Sequence, residues 1–200
     1  MATPWIPFPL TLPGKEIELV SLQREHIQEL DRLAKDSRIW EFYSINGSDS
    51  RKLTGSLETA IAEREQGTQY PFVIVHRQQH NIIGSTRYLD IQPAHRKLEI
   101  GWTWLHPDYW GTSVNLACKY ALLTHCFETL QTVRVQLKTD ENNIRSRKAI
   151  QKIGGQLEGI IRNDMIRDNG TRRNSAYFGI IAEDWAEVKK HLQTLLAAKQ

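Results

Sequence analysis

Three short stretches of this chain hold residues whose types and spacing suit chemistry. The first is YWGTSVN (Tyr109–Asn115), a glycine among small residues, lying between a run that alternates like a strand and a run apolar enough to be a buried helix. Gly111 permits a tight turn there, and Thr112 or Ser113 can cap the helix that follows. A strand, a small-residue loop and a helix N-terminus also make an anion cradle: several N–H groups converge and the helix dipole favours negative charge, so a phosphate would fit. The second stretch is Asn143 with Ser146, where Asn143 suits a helix N-cap with Ser146 in the first turn. The third is Glu99. Strict alternation over KLEIGWTWLH puts Leu98, Ile100, Trp102 and Trp104 on one face and Glu99, Gly101, Thr103 and Leu105 on the other. A carboxylate thus sits mid-strand beside the space left by a glycine, where a basic neighbour such as Arg87 on the adjoining strand is its plain ionic partner.

The elements that must position these groups follow from periodicity. Four prolines among the first thirteen residues predict an extended arm over 1–15, pinned by Trp5, Phe8 and Leu10, ahead of a single domain over 16–200. EIELVSL reads as a strand, and residues 23–36 and 50–67 as covering helices. From residue 70 the period changes to two, and YPFVIVHR, NIIGSTRYLDI and KLEIGWTWLH form an antiparallel meander. His76 and His80 sit in its first polar turn without a third ligand nearby in sequence, and read as solvated loop histidines. Residues 113–128 are apolar nearly all round and predict a buried helix. TVRVQLKTD is a strand with Val133, Val135 and Leu137 inward, followed by a helix closed at Gly154, a hairpin turning at Asp168–Asn169–Gly170 and a terminal helix. The strand–helix–strand–helix order implies a locally parallel pair within an α/β (α+β) fold.

Composition narrows the function. Two hundred residues with 40% apolar and 24% charged side chains are ordinary for one soluble globular domain. A net charge of +3 is too mild to indicate nucleic-acid binding by itself. Cys118 and Cys126 are eight positions apart on one helix, roughly 12 Å along its axis, and cannot pair. With no secretory leader pattern and no membrane-length apolar run, the cytoplasm is the expected compartment.

The order YWGTSVN, NNIRSRKAIQKIGG, DNGTRRNSAYFGII resembles the GNAT superfamily of acyl-CoA-dependent N-acetyltransferases, in its RimJ/RimL-like branch, over roughly residues 16 to 185. The resemblance implies a mixed, mostly antiparallel sheet flanked by helices and splayed between KLEIGWTWLH and TVRVQLKTD, with acetyl-CoA in the opening. Family loops usually show Gln or Arg, two residues, Gly, one residue, then Gly or Ala; here those positions are Trp110, Ser113 and Asn115, with Gly111 one place earlier. A backbone cradle tolerates serine where the dihedrals are not glycine-only.

By the same resemblance, acetyl-CoA is held by Trp104, Leu105 and His106, by Gly111, Thr112, Ser113, Val114 and Asn115, and by Asn143 and Ser146, with no metal. Glu99 takes a proton from the acceptor amine, and Ser146, or more weakly Tyr120, donates a proton or hydrogen bond to the departing sulfur. Trp40, Tyr43, Arg87 and Trp102 face the acceptor, a small-molecule or peptide amine. Nucleic acid and membrane are not expected partners, and the chain is a monomer or homodimer. A non-catalytic acyl-CoA-binding module is the alternative. An RNA-associated reading rests on Arg145, Arg147, Lys148, Lys152, Arg172 and Arg173, which read more simply as a solvated face that also holds the coenzyme's phosphates.

Overall fold

The computed structural model describes residues 4–199. Eight strands form one sheet in the order β1-β2-β3-β4-β5-β6-β8-β7. They are β1 (Thr11–Pro13), β2 (Ile17–Ser21), β3 (Tyr70–His76), β4 (Asn81–Gln92), β5 (Lys97–Leu105), β6 (Arg134–Asp140), β7 (Gln156–Ile166) and β8 (Arg172–Ile181). Five helices cover it: α1 (Ile27–Leu33), α2 (Ser50–Glu65), α3 (Val114–Thr124), α4 (Ile144–Lys152) and α5 (Trp185–Ala197). Alternation along β3 feeds two cores. Phe72 and Ile74 join the α3 and α5 side, whereas Val73 between them joins the α1 and α2 side.

The helix expected over 23–36 is shorter, a 3-10 turn at Arg24–His26 followed by α1, because Asp36 caps a new turn through the Arg38 N–H. α3 runs on into a π-helical turn at His125–Thr129. The N-terminal stretch is stitched to the sheet: Leu12 of β1 lies opposite Leu19, and Ile6 and Leu12 are buried while Trp5 and Leu10 pack against the core. Phe8 is not a pin; it stays exposed beneath the Arg64 guanidinium, 4.0 Å from its ring. Val133 also differs from expectation. It precedes the start of β6 and is exposed, while Val135 and Leu137 are buried.

Two features open the sheet. β5 and β6 are parallel and pair only over Lys97–Glu99 and Arg134–Gln136. Beyond that point β5 follows β4 to Leu105 and β6 follows β8 to Asp140, so the two strands part into a V. The second feature is a bulge at Trp102. Ser85 lies opposite Trp104 and Arg87 opposite Gly101, so Thr86 alone faces two residues, and Trp102 takes a left-handed backbone with φ of 50°. One extra residue reverses the parity of everything after it. Leu105 therefore returns to the core with Leu98 and Ile100, and Trp104 crosses to the α1/α2 core beside Trp40. The expected grouping of Trp104 with Leu98 and Ile100 is corrected by that bulge.

Candidate active site

The parted strands enclose a cleft of about 710 Å³ running from the loop at Gly111 to Glu99. Its loop end is built by the backbone. β5 hands over at Leu105 to a 3-10 turn at Pro107–Tyr109, Trp110 is extended, and Gly111 adopts φ of +76° to turn the chain into α3. The Thr112 hydroxyl donates to the Tyr109 carbonyl at 2.7 Å and accepts from the Val114 N–H at 3.3 Å, whereas Ser113, the N-cap residue, makes no side-chain cap. The first-turn N–H groups of α3 have no carbonyl of their own helix to bond, and the Asn115 side chain lines the cleft there.

Positive charge gathers at this end. Trp110 donates its indole N–H to the Leu105 carbonyl, and the guanidinium of Arg145 lies 4.2 Å from its ring, with that of Arg38 at 5.7 Å. The Lys199 ammonium donates to the carbonyls of Gly111 and Thr112. A tryptophan at the departing signature position thus carries two arginines beside the loop. Ser113 and Val114 do not line the cleft: the Ser113 hydroxyl turns away to donate to Glu16 at 2.6 Å, and Val114 is buried in the core. His106 is likewise outside it, its Nδ1 accepting from the Asp108 N–H.

Midway, Asn143 caps α4, its Oδ1 accepting from the Ser146 N–H at 2.9 Å, and both residues line the cleft. Tyr120 does not; its hydroxyl accepts from Gln193 on α5. Sequence reasoning passed over Lys119, the one charged residue of α3, which is buried and lines the cleft. Its placement inside an apolar helix was the available signal.

The far end is built by side chains. Glu99 is 7% exposed and accepts from Gln136 Nε2 at 2.8 Å, with the Lys138 ammonium 3.9 Å away. Arg87, the expected ionic partner, lies elsewhere. It is buried behind Trp102, 4.6 Å from that ring, and donates to Ser56 at 2.9 Å. Burial lowers its pKa to about 10, against the pull of Glu63. Trp40 is also a core residue, its indole N–H bonded to the Ala34 carbonyl. Neither lines the cleft, whereas Trp102 and Tyr43 do; Tyr43 donates to the Thr103 carbonyl at 2.6 Å, and burial raises its phenol pKa. Arg173, read from sequence as solvated, is buried, lines the cleft and donates to the Phe42 carbonyl. It escapes water because β8 is an interior strand between β6 and β7. His76 packs against Tyr109, the rings tilted by 41°, and among the described residues no group of three potential metal ligands gathers.

A splayed mixed sheet with a helix N-terminus at one end of the cleft and a carboxylate at the other is the architecture of acyl-CoA-dependent transferases to which the motifs pointed. The acetyltransferase (GNAT) domain model matches residues 16–156, and the chain belongs to that family. A Bacillus subtilis (strain 168) protein with the provisional name ribosomal N-acetyltransferase YdaF is 28% identical over 105 residues, 52% of this chain and 56% of the relative. The match thus spans little more than half of that relative's length. A T. thermophilus structure provisionally described as an acetyltransferase superposes with a TM-score of 0.85 at 29% identity, over 96% of this chain and 99% of that one. Mycobacterium smegmatis RimJ, solved with CoA-disulfide, shares the fold with a TM-score of 0.81 at 20% identity, over 99% of this chain and 98% of its own. No helix among the described residues is long and apolar enough to cross a membrane.

Proposed function

We propose that this chain is an N-acetyltransferase that passes the acetyl group of acetyl-CoA to a primary amine by direct attack in a ternary complex. The observation that carries the reading is the continuous cleft, with a helix start and basic side chains at one end and the Glu99 carboxylate at the other. The group fits these residues: anionic phosphates suit Gly111, Thr112 and Asn115 with Arg145 and Lys199 beside them, and the pantetheine arm suits Asn143 and Ser146. Acetyl-CoA supplies an activated thioester when bound.

The remaining chemistry falls to the chain. An ammonium is not nucleophilic, and reference pKa values are about 8 for a terminal amine and about 10.4 for lysine, so a base is needed near neutrality. Glu99 takes that proton, directly or through water. Ser146 offers a hydrogen bond where the sulfur departs. The likeness to YdaF favours a protein amine, with ribosomal protein as the acceptor class.

The test is release of free thiol from acetyl-CoA in a screen of peptides and small amines, with thermal melting alongside. Acetyl-CoA should raise the melting temperature by mass action, and at least one amine should be turned over. A melting shift without turnover of any amine would make the chain a non-catalytic acyl-CoA-binding module; no shift at millimolar ligand would remove the cradle.

A further inference from the structure

We propose that Lys119 is the acid that protonates the sulfur leaving the thioester, an inference that rests on the transferase reading above. Lys119 lies on α3 between the loop end and the acceptor end, and its ammonium reaches across to β5, where Nζ donates to Thr103 Oγ1 at 2.7 Å. Thr103 is the residue after the Trp102 bulge, and its hydroxyl also meets that of Thr86 at 2.7 Å. Among the described residues that is the ammonium's single hydrogen bond, and no carboxylate pairs with it. An ammonium has three donors, and a buried charge without a counter-ion is costly enough that it persists mainly where a ligand or a reaction uses it. Lys119 is 7% exposed and lines the cleft, so what completes its shell must enter that cleft.

The neighbours define what kind of group that is. Cys118, beside it on α3, is a buried neutral thiol whose pKa burial pushes up to about 12. Glu99 on β5 is held by Gln136, and Tyr43 donates to Thr103. Arg145 on α4 stacks on Trp110, and Lys199 caps the loop carbonyls. Apart from Glu99, whose Oε2 is engaged by Gln136 and Lys138, the surroundings offer cations and neutral groups, and the missing partner is an anion or a group becoming one. Burial lowers the Lys119 pKa to about 8, near the thiol reference of about 8.5, so proton transfer to a departing thiolate is close to balanced. The serine hydroxyl of Ser146 is far too weak an acid for that step and supplies only a hydrogen bond. As the acceptor nitrogen bonds to the carbonyl carbon and the carbon–sulfur bond breaks with its electron pair on sulfur, Lys119 gives its proton to sulfur. Glu99 takes the proton from nitrogen, and solvent then discharges Glu99 and recharges Lys119.

The experiment compares wild type with Lys119→Met and Lys119→Gln, the second keeping a donor for Thr103 without the charge. The first readout is titration of the thiol of bound free CoA by thiolate ultraviolet absorbance, which needs no turnover. In wild type the bound thiol should titrate below the free value, and in both variants at or above it. The second readout is kinetic: kcat should fall about 100-fold with KM for acetyl-CoA nearly unchanged. Because Lys119 is charged below about pH 8 and neutral above, wild-type kcat should fall as pH rises through that value, and this limb should vanish in the variants. Melting temperatures should hold or rise, since an unpaired buried charge is removed. Equal thiol titration in all three proteins, or full turnover by Lys119→Gln, would overturn the assignment and leave Lys119 a structural donor to Thr103. Failure of wild type to turn over any amine overturns the transferase reading instead, and the thiol titration still reports on Lys119.

Discussion

The two ends of the cleft are built by opposite means. At the loop end, Gly111, Thr112 and the start of α3 present backbone groups; of the side chains that differ from the family pattern, Ser113 turns aside to bond Glu16, while Trp110 serves as a platform for Arg145 and Asn115 lines the cleft. At the acceptor end the functional groups are side chains held by their neighbours, Glu99 by Gln136 and Arg173 by the Phe42 carbonyl and nearby Asp140. A site made of backbone direction tolerates substitution, because any residue supplies an N–H. A site made of side chains does not.

The largest effect that contrast predicts is at Glu99. Glu99→Gln keeps the shape and can still accept from Gln136, yet removes the proton acceptor. Turnover at neutral pH should fall about 10²- to 10⁴-fold and recover partly as pH rises and solvent deprotonates the amine. Acetyl-CoA affinity should hold. Full turnover with an unchanged pH profile would make the carboxylate a structural partner of Gln136 and Lys138.

Ser146→Ala tests the junction between the two ends. A hydrogen bond that strengthens as charge develops on sulfur should cost about tenfold in kcat when lost, with little change in cofactor affinity. If Ser146 serves only the helix start, turnover will stay and only stability will slip. The cap itself survives, because Asn143 bonds the Ser146 N–H and not its hydroxyl.

How much of this was legible in sequence follows the same division. The meander, the buried α3, the parallel pair and the loop were readable, since periods of two and 3.6 and a glycine between them report backbone shape directly. The bulge at Trp102 was not, because KLEIGWTWLH alternates without interruption and nothing in it announces an extra residue. That single slip reversed the faces of Trp104 and Leu105 and set Trp104 against Trp40. Arg87 and Arg173 exchanged expectations for a related reason: strand neighbours decide which arginine is sealed behind a tryptophan and which reaches the cleft, and β8 is inserted between β6 and β7 out of chain order.

A smaller effect should appear at Asn115, in the first turn of α3. Asn115→Glu places a negative charge beside the proposed phosphate position, and the acetyl-CoA-induced melting shift should shrink in line with an affinity about fivefold weaker. Unchanged affinity would move the phosphates away from this helix.

The smallest effect separates a turn from a cradle at Gly111. A Cβ added there meets nothing within 4 Å, so Gly111→Ala introduces no clash, and its whole cost lies in holding alanine at φ of +76°. That cost is about 1 kcal/mol, or a melting temperature lower by about 2–4 °C in a domain of this size. If Gly111 only turns the chain, melting should be the one quantity to change. If its conformation aims the first N–H groups of α3 at a phosphate, relaxation of the strained alanine should also rotate those donors, and acetyl-CoA affinity should weaken about two- to fivefold. The pair of measurements therefore decides whether the backbone end of the cleft is a binding device or merely the corner between β5 and α3.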